Sequence, residues 1–308
     1  MNYESIYNEL LNHIKQENVC LSEPLRNHVY TKLGGNADLF VTPESIDELK
    51  AALDIRKKTD IPLTILGSGS NVIIKDGGIR GLTIGMSKMT NFFIEGERLV
   101  VQSGAAIIEA SRKALEHRLS GLEFACGIPG SVGGALYMNA GAYGGQISEV
   151  LDRATVMTQD GEILTIETEN LALGYRESIF MESDYVILEA EFGLSQGDPV
   201  VIKAKMDALT EARESKQPLE YPSCGSVFKR PPGHFAGKLI QESNLQGTRI
   251  GGAEVSKKHA GFIVNIDQAT SKDYLDLIDL VKATVKDTFH VELDTEVIVL
   301  GEDLEEQV

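Results

Sequence analysis

The stretch LTILGSGSNVIIKDGG, residues 63–78, constrains the fold of this chain more than any other feature. A glycine-x-glycine step follows one run of strand-forming residues and precedes a second, which predicts the order strand, loop, strand. A Rossmann dinucleotide unit needs a third glycine and a helix directly after the loop. The chain has neither here, so we expect Gly67 and Gly69 to turn backbone N–H groups toward an anion. Further donors come from the side chains of Ser68, Ser70 and Asn71.

A second glycine-rich stretch, GIPGSVGGALYMNAGAYGG, covers residues 127–145. Its glycines leave a long run of backbone without side-chain cover, which suits close approach to a large, flat or phosphorylated ligand. Either stretch alone is explained equally well by tight turns. Two such loops in a strand-rich region together favour a dinucleotide site.

The composition excludes several classes of protein. The 308 residues are 42% hydrophobic and 24% charged, which is ordinary for a globular chain of two or three domains. A net charge of −17 disfavours a general nucleic-acid binder, because such a protein needs a basic face. The apolar runs are shorter than a membrane span, and the first residues lack the basic segment of a secretory signal.

The cysteines indicate the cellular compartment, and the cysteines and histidines together indicate whether a metal site is expected. Cys20, Cys126 and Cys224 are scattered and odd in number, which is typical of a reducing cytoplasm. The six histidines form no close pair and the cysteines form no CxxC motif, so we expect no metal site. The sequence therefore predicts a cytoplasmic protein without a membrane partner.

Hydrophobic periodicity and turn residues predict a mixture of helices and strands. Helices are expected over residues 2–17, from an N-cap at Thr42 with Pro43 in the first turn, over 105–119 and 200–217, and from Ser271 to about Phe289. Strands are expected at 38–41, 63–66, 71–74, 81–84, 98–101, 186–194, 261–265 and 296–301, with a hairpin around Asp160-Gly161. The pattern changes between residues 195 and 220, which predicts a domain boundary there.

The motifs occur in an order that resembles a known family. LGSGSNVIIKDGGIRG, GLEFACGIPGSVGGALYMNAGAYGG, GYRESIF, CGSVFKRP and EVIVLG together resemble UDP-N-acetylenolpyruvoylglucosamine reductases over about residues 28–301. The two glycine loops alone resemble only the wider group with a vanillyl-alcohol-oxidase (PCMH) type flavin domain. The arginine, serine and glutamate motifs make the resemblance specific for the reductases.

The resemblance implies an α+β fold with a two-subdomain FAD-binding domain and a C-terminal α/β substrate-binding domain. The implied bounds are 1–29 for an N-terminal helix and lead-in, 30–197 for the flavin domain (subdomains of about 30–90 and 91–197) and 198–308 for the substrate domain. It also implies FAD held between the two subdomains and NADPH as co-substrate. The short spacing from Leu194 to Tyr221 resembles the subtype that lacks a substrate-covering tyrosine loop.

Residues on both loops, together with Thr31 ahead of Gly34-Gly35, are the implied flavin ligands. They are Thr31, Leu66, Gly67, Ser68, Gly69, Ser70, Asn71, Gly127, Pro129, Gly130, Ser131, Gly133, Gly134, Asn139, Gly141 and Ala142. Some flavoproteins of the wider group attach FAD through His or Cys. Neither loop here contains a histidine, and Cys126 is expected to be a buried small residue, so we expect FAD to bind without a covalent link.

Three side chains match the positions that carry the family's reaction. Arg176 matches the arginine that grips the substrate carboxylate, for which a planar guanidinium is well suited. Glu296 matches an acid at the start of an apolar strand, where burial favours the protonated form of a carboxyl group. Without the resemblance, a surface ion pair and a solvated strand-start acid are the commoner interpretations of these two residues.

Ser226, in YPSCGSVFKRPP, matches the family serine that donates a proton. A nucleophilic serine needs an adjacent base, and the nearby sequence offers none. A proton donor needs only rigid placement, which Gly225 and the neighbouring prolines favour. Cys224 is expected to pack the turn.

The UDP part of the substrate must bind to a local group of cations, since the overall charge is negative. Candidates are Tyr175, Lys229, Arg230, Lys238 and Arg249, with Asn265 as a further contact. Two other functions stay open. One is a flavin oxidase of the same wider group acting on a sugar alcohol or hydroxy acid, and the other is a flavin-binding scaffold without chemistry.

Overall fold

A computed structural model describes residues 2–304 of the chain, which form two compact units. The first unit comprises residues 2–21, Leu39–Ser68 and Gly81–Arg213. The second comprises Ser22–Asp38, Gly69–Arg80 and residues 214–304. Two segments from the N-terminal third of the sequence therefore fold with the C-terminal third.

Helices and strands are mixed along residues 2–304, with runs of consecutive strands between the helices. The α-helices are α1 Tyr3–Leu10, α2 Ile46–Thr59, α3 Ile107–Glu116, α4 Val132–Tyr137, α5 Pro199–Lys216, α6 Ala236–Glu242 and α7 Ser271–Phe289. The strands are β1 Val19–Pro24, β2 Asn36–Val41, β3 Leu63–Leu66, β4 Val72–Ile74, β5 Ile79–Gly85, β6 Phe92–Glu95, β7 Arg98–Gln102, β8 Leu119–Ser120, β9 Gly141–Ala142, β10 Gly145–Gln146, β11 Leu151–Met157, β12 Ile163–Glu167, β13 Val186–Gly193, β14 Ser195–Gln196, β15 Ser223–Ser226, β16 Arg249–Ile250, β17 Ala253–Val255, β18 Phe262–Asn265 and β19 Ile298–Leu300.

The predicted strands and three of the predicted helices are confirmed. The glycine-x-glycine step lies between β3 and β4, so the order strand, loop, strand is correct. Helix α7 begins at Ser271 because Thr270 and Asp273 form a capping box, in which each side chain accepts from the other's backbone N–H. The hairpin around Asp160-Gly161 pairs β11 with β12, and Gly161 takes the positive φ of 78° that the turn requires.

Two helix predictions are wrong in their bounds. Helix α1 ends at Leu10, although Ile14 is also buried, because the chain turns before residues 16–18. Helix α2 begins at Ile46, not beside Thr42, since the Thr42 N–H donates to the Asn18 carbonyl. The cap is Ser45, whose Oγ accepts from the Glu48 N–H at 3.2 Å.

The second glycine stretch also differs from the predicted open loop. Its middle forms the six-residue helix α4, capped by Ser131, whose Oγ accepts from the Gly134 N–H at 3.2 Å. Its end forms the hairpin of β9 and β10. The glycines of this stretch therefore lie in a short helix and in a tight turn.

The sheets are small and mostly antiparallel. Their strand orders are β1-β2-β5-β3, β12-β11-β13-β7-β6, β15-β18-β17-β16, β10-β9, β14-β8 and β19-β4. Parallel pairing joins β3 to β5 and β4 to β19. The pairing of β4 with β19 brings the residues after the first glycine loop beside the last strand of the second unit.

Each unit has its own hydrophobic core. The first unit contains two clusters, one around α3, α4 and the sheet of β13, the other around α1, α2 and β5. The second unit has one cluster, centred on the fully buried Tyr274 and Leu277 of α7. Leu33 and Ile73 belong to this cluster, which explains why their segments fold with the C-terminal third.

Across residues 2–304, no helix combines the length and the apolarity needed to cross a bilayer. Within the same residues, no three His, Cys, Asp or Glu side chains cluster as metal ligands.

Candidate active site

The two glycine stretches meet inside the first unit. Gly67, directly after β3, lies so close to Ser131 that a Cβ on Gly67 would stand 2.5 Å from the Ser131 Oγ. Only glycine fits this contact without a shift of the neighbour. The structure therefore brings together the two loops that the sequence predicts to bind one ligand.

The second glycine stretch runs along the segment 103–107. The Ile107 N–H donates to the Gly130 carbonyl at 3.0 Å, and the Gly133 N–H donates to the Ser103 carbonyl at 2.8 Å. A Cβ on Gly133 would lie 2.9 Å from the Ser103 Cβ. These backbone bonds fix the shape of the stretch before any ligand binds, which favours preorganised binding.

Asn139 fastens the hairpin of β9 and β10. Its amide N–H donates to the Gly174 carbonyl and its Oδ1 accepts from the Ser148 N–H, both at 2.9 Å. The side chain is buried and its residue has a left-handed φ of 40°. Asn139 thus holds the hairpin against the turn that carries Arg176, a structural use that the sequence interpretation as a flavin ligand did not include.

Arg176 lies at the tip of a tight turn, residues 174–177. Gly174 and Glu177 form an isolated antiparallel bridge, and Arg176 between them has a φ of 58°. A left-handed conformation costs roughly 1–2 kcal/mol for a residue with a Cβ. The guanidinium donates to the Gly141 carbonyl at 3.2 Å and lies 5.3 Å from the Tyr175 ring centroid. The strained turn therefore places this cation beside the second glycine stretch.

Ser226 and Glu296 approach each other in the second unit. The Val227 carbonyl accepts from the Glu296 N–H at 2.8 Å, and Phe228 bridges to Thr295 in antiparallel fashion. Ser226 is exposed and Glu296 is half-buried. Two predicted catalytic residues that are seventy positions apart in sequence thus stand on adjacent extended segments.

The conformation before Ser226 is irregular. Gly225 has a φ of 77°, and the pairing of β15 with β18 shifts register between Ser223 and Ser226. A bulge of this kind changes the direction of the side chains that follow it. It allows Cys224 to point into the core while Ser226 is exposed.

Cys224 is a core residue, as the sequence predicts. Its Sγ lies 3.4 Å from the Tyr274 hydroxyl, which donates to the Ile263 carbonyl. Burial, together with a smaller contribution from the nearby Glu296, raises the pKa of the Cys224 thiol to about 12. A thiol with this pKa stays protonated at neutral pH, so it is a poor nucleophile.

Asn71 links the first glycine loop to Glu296. Its side-chain amide donates to the Glu296 carbonyl at 3.0 Å, and its own carbonyl accepts from the Ile298 N–H at 3.0 Å. The residue predicted as a flavin ligand therefore also supports the backbone of the candidate acid.

Thr31 presents an unused polar atom in the second unit. It is fully buried, and its Oγ1 has no hydrogen-bond partner within the described part of the chain. The Thr31 carbonyl accepts from the Asn265 amide at 3.0 Å, while the Asn265 Oδ1 accepts from the Ala269 N–H at 2.9 Å. Asn265 thus uses its amide inside the unit, which argues against its predicted contact with the sugar or base.

The predicted flavin ligands are divided between the two units. The first unit contains Leu66, Gly67, Ser68, Gly127, Pro129, Gly130, Ser131, Gly133, Gly134, Asn139, Gly141 and Ala142. The second contains Thr31, Gly69, Ser70 and Asn71. Within the first unit, the close approach of Gly67 to Ser131, the preformed glycine stretch and the unpaired hydroxyl of Ser103 fit a bound dinucleotide.

The sulfur of Cys126 contacts helix α5. It donates to the Met206 carbonyl at 3.5 Å and lies 3.6 Å from the Thr210 Oγ1, both on α5. Half-buried, it is less enclosed than the sequence predicts. Its contacts with α5 support a flavin held without a thioether link.

The candidate cations for the UDP group differ in their partners. Lys238 pairs with Glu242 at 3.7 Å and Arg249 with Glu254 at 3.3 Å. Arg230 instead stacks on the exposed Phe235 ring, 4.0 Å from its centroid, next to the half-buried Lys229. A guanidinium stacked on an aromatic ring offers a flat, charged surface that suits a nucleotide base.

Sequence reasoning missed two residues near these groups. Arg213 of α5 packs so closely on the second glycine stretch that a Cβ on Gly127 would lie 2.8 Å from its Cδ. Burial lowers the pKa of the Arg213 guanidinium, and the groups that oppose this effect are Tyr143 and Cys126. His259, in KKHAGF, accepts from the Gly261 N–H at 3.2 Å, and the neighbouring Phe262 pairs with Ser226. Periodicity gives no signal for the contact of Arg213 with Gly127, because it joins residues far apart in sequence.

Comparison with known proteins agrees with this geometry. Residues 37–167 match a family model described as an FAD binding domain, and residues 217–300 match the C-terminal domain of UDP-N-acetylenolpyruvoylglucosamine reductase. The predicted fold class, a flavin domain followed by a substrate domain, is confirmed.

Full-length relatives extend the comparison. UDP-N-acetylenolpyruvoylglucosamine reductase 2 of Bacillus cereus is 59% identical over 99% of this chain and 100% of its own length. The corresponding reductase of Exiguobacterium sibiricum is 59% identical over 94% of this chain and 95% of its own length. The crystal structure of the Thermus caldophilus reductase superposes with a TM-score of 0.79 at 32% identity, covering 92% of this chain and 98% of that one. The chain belongs to the UDP-N-acetylenolpyruvoylglucosamine reductase family.

Proposed function

We propose that this chain reduces the enolpyruvyl group of UDP-N-acetylglucosamine enolpyruvate to give UDP-N-acetylmuramate, a step in peptidoglycan precursor synthesis, with NADPH as reductant. Full-length identity to reductases of this name supports the reaction. The observation that carries the residue assignment is the placement of Ser226 beside the segment of Glu296 in the second unit.

The chemistry defines what the side chains must do. FAD, when bound, would supply the hydride, taken from NADPH, for the CH2 carbon of the substrate. Negative charge then develops on the neighbouring carbon and spreads into the substrate carboxylate. The chain must stabilise this charge and deliver one proton to that carbon.

Ser226 is the proposed proton donor. It is exposed, and it follows a glycine with a left-handed φ on a short strand. Its hydroxyl gives its proton to the carbon next to the carboxylate, and a positioned acid of this kind contributes about 10²–10⁴ in rate. Cys224, two positions earlier, is buried and protonated, so it does not act as a nucleophile beside Ser226. This supports the role of Ser226 as an acid.

Arg176 is the proposed ligand of the substrate carboxylate. Its guanidinium already makes one bond to a backbone carbonyl, which limits its motion. The planar fork binds the two carboxylate oxygens in parallel and stabilises the charge that spreads into them.

Glu296 is the proposed second acid. Its backbone is fixed by Val227 and Asn71, and its half-buried carboxyl group stands next to the Ser226 segment. In this proposal its carboxyl group donates a hydrogen bond to the developing enolate.

The remaining ligand assignments rest on the same proposal. FAD would be held without a covalent link, and the residues of the two glycine stretches and Thr31 stay its predicted ligands. The nucleotide end of the substrate binds Arg230 and Lys229, with smaller contributions from Tyr175, Lys238 and Arg249. The free state of the three cysteines supports a cytoplasmic location. Domain limits near residues 29 and 197 stay a prediction.

The test is a visible spectrum of the FAD-loaded protein without oxygen. Addition of NADPH should bleach the flavin band, and addition of UDP-N-acetylglucosamine enolpyruvate should restore it. A protein that binds FAD but is not reoxidised by this substrate contradicts the proposed reaction. Rapid reoxidation by oxygen with an oxidised sugar alcohol as product points instead to an oxidase.

A further inference from the structure

The turn that joins β17 to β18 is built around Ser256 and His259. The Ser256 Oγ accepts from the N–H groups of Lys258 and His259, at 3.1 and 3.2 Å. The Phe262 N–H donates to the His259 carbonyl at 3.0 Å, and the Ser256 N–H donates to the Phe262 carbonyl at 2.9 Å. The backbone of His259 is therefore fixed from both sides.

The imidazole of His259 is fixed as well. Its Nδ1 accepts from the Gly261 N–H at 3.2 Å, and its ring meets the Phe262 ring edge-on with centroids 4.8 Å apart. A Cβ on Gly261 would lie 3.1 Å from the His259 Cε1, so glycine at this position admits the ring. Burial lowers the pKa of His259, which favours the neutral ring that can accept at Nδ1.

The Gly261 bond continues to the candidate catalytic residues. The Gly261 carbonyl accepts from the Val227 N–H at 2.9 Å, and the Val227 carbonyl accepts from the Glu296 N–H at 2.8 Å. Val227 directly follows Ser226, which pairs with Phe262. Three hydrogen bonds thus connect the imidazole to the backbone of both candidate acids.

These bonds matter because the other side of Ser226 is irregular. Gly225, directly before the serine, has a positive φ, and the pairing of β15 shifts register there. The hydrogen bonds of Val227, directly after the serine, therefore hold this segment in place. A displacement of about 1 Å in a reacting group can reduce turnover by about 10²-fold.

We propose that His259 is a positioning residue for proton transfer, acting through Gly261 and Val227 on the placement of Ser226 and Glu296. This proposal rests on the proposed function of the chain. The imidazole touches neither substrate nor cofactor. It supplies an acceptor that keeps the Gly261 amide, and with it the Val227 segment, in place.

The test compares His259→Leu with His259→Asn in the FAD-loaded protein. Leucine removes the acceptor, whereas the asparagine Oδ1 accepts from the N–H two residues later, as in an Asx turn. We expect His259→Leu to slow flavin reoxidation by substrate about 10- to 100-fold. We expect its reduction by NADPH to stay within about two-fold of the parent, and His259→Asn to restore reoxidation to within about three-fold.

A matched control is His290→Asn, at the left-handed C-cap of α7, which removes an exposed imidazole from the same unit. It should leave both half-reactions unchanged. Equal rates for His259→Leu and the parent overturn the proposal. So does an equal loss in both half-reactions, or a failure of asparagine to restore the rate, since these results indicate a general effect on folding.

The parent protein offers a second measurement if His259→Leu does not fold. Selective ¹⁵N labelling should show an unprotonated Nδ1 on His259 and slow hydrogen exchange of the Gly261 amide. An exposed, rapidly exchanging Gly261 amide contradicts the proposal. A parent protein that never turns over the substrate contradicts the proposed function instead, so the two failures are distinguishable.

Discussion

The segments that carry Arg176 and Ser226 are held in place in different ways. The arginine stands on a strained turn in the first unit, and its guanidinium bonds to the Gly141 carbonyl. The serine stands on an extended segment of the second unit, with Gly261 and Glu296 bonded to the residue that follows it. The Arg176 side chain thus helps to hold its own turn in place, whereas Ser226 depends on backbone hydrogen bonds made by the residues next to it.

This difference predicts how substitutions act. Substitution of Arg176 changes the group proposed to bind the carboxylate and also the hydrogen bond to Gly141 that holds the turn. Changing Ser226 removes a hydroxyl but leaves the segment where it is, so the effect should be confined to one chemical step.

The largest effect is expected for Ser226→Ala. Loss of the proton donor should slow flavin reoxidation by the enolpyruvyl substrate about 10²–10⁴-fold, while reduction by NADPH is unchanged. Stopped-flow absorbance of the two half-reactions measures this. Ser223→Ala, on the same strand, is the matched control and should behave like the parent. Unchanged reoxidation in Ser226→Ala removes the serine from the mechanism.

Arg176→Lys should follow in size. Lysine keeps the charge but lacks the fork, so binding of the carboxylate and stabilisation of the enolate should fall, with kcat/KM about 10²–10³-fold lower. Steady-state kinetics in the substrate measures the change. Arg112→Lys, an exposed arginine paired with Glu109 in the same unit, is the control. A loss below about three-fold would mean that charge alone suffices.

Gly67→Ala tests the contact between the two glycine stretches in the first unit. The added Cβ, 2.5 Å from the Ser131 Oγ, must shift this hydroxyl, which caps α4, so we expect FAD affinity to fall at least about ten-fold. Flavin fluorescence on titration measures this. Gly96→Ala is the control, because a Cβ there meets no neighbour within 4 Å although its φ is 60°. Equal FAD affinity in both variants would remove Gly67 from the site.

The smallest effect on turnover is expected for Cys224→Ala, which tests whether backbone bonds alone position Ser226. We expect kcat within about three-fold of the parent and a loss of about 1 kcal/mol in unfolding free energy, because only core packing changes. A large loss of kcat would show that the side chain of Cys224 helps to position the serine.

The same thiol predicts a dependence of stability on pH. Because its pKa is raised from about 9 to about 12 in the folded state, its contribution is complete below pH 9 and decreases as pH rises from 9 to 12. The parent should therefore lose about 1.4 kcal/mol per pH unit more than Cys224→Ala above pH 9. Urea unfolding at pH 8 and 10.5 measures the difference, and parallel curves would contradict the buried, protonated thiol.

Local signals predicted much of the secondary structure. Helix α7 follows its capping box, and the strands around Gly67 and the hairpin at Gly161 follow alternation and turn residues. The start of α2 was mispredicted because the Thr42 N–H bonds to Asn18, a partner that lies outside any local window. Helix α4 was missed because glycines, which disfavour helices in general, dominate its stretch.

The sequence by itself determined the two flavin loops, the family and the three candidate catalytic side chains, because these reside in short motifs with characteristic residues. Only the tertiary structure decided that Gly67 contacts Ser131, that the Val227 carbonyl accepts from the Glu296 N–H and that the Gly261 carbonyl accepts from the Val227 N–H. These contacts join residues tens of positions apart, and the last two are hydrogen bonds between backbone groups. Every residue except proline carries the same backbone donor and acceptor, so the identity of a residue does not reveal which distant group it will bind.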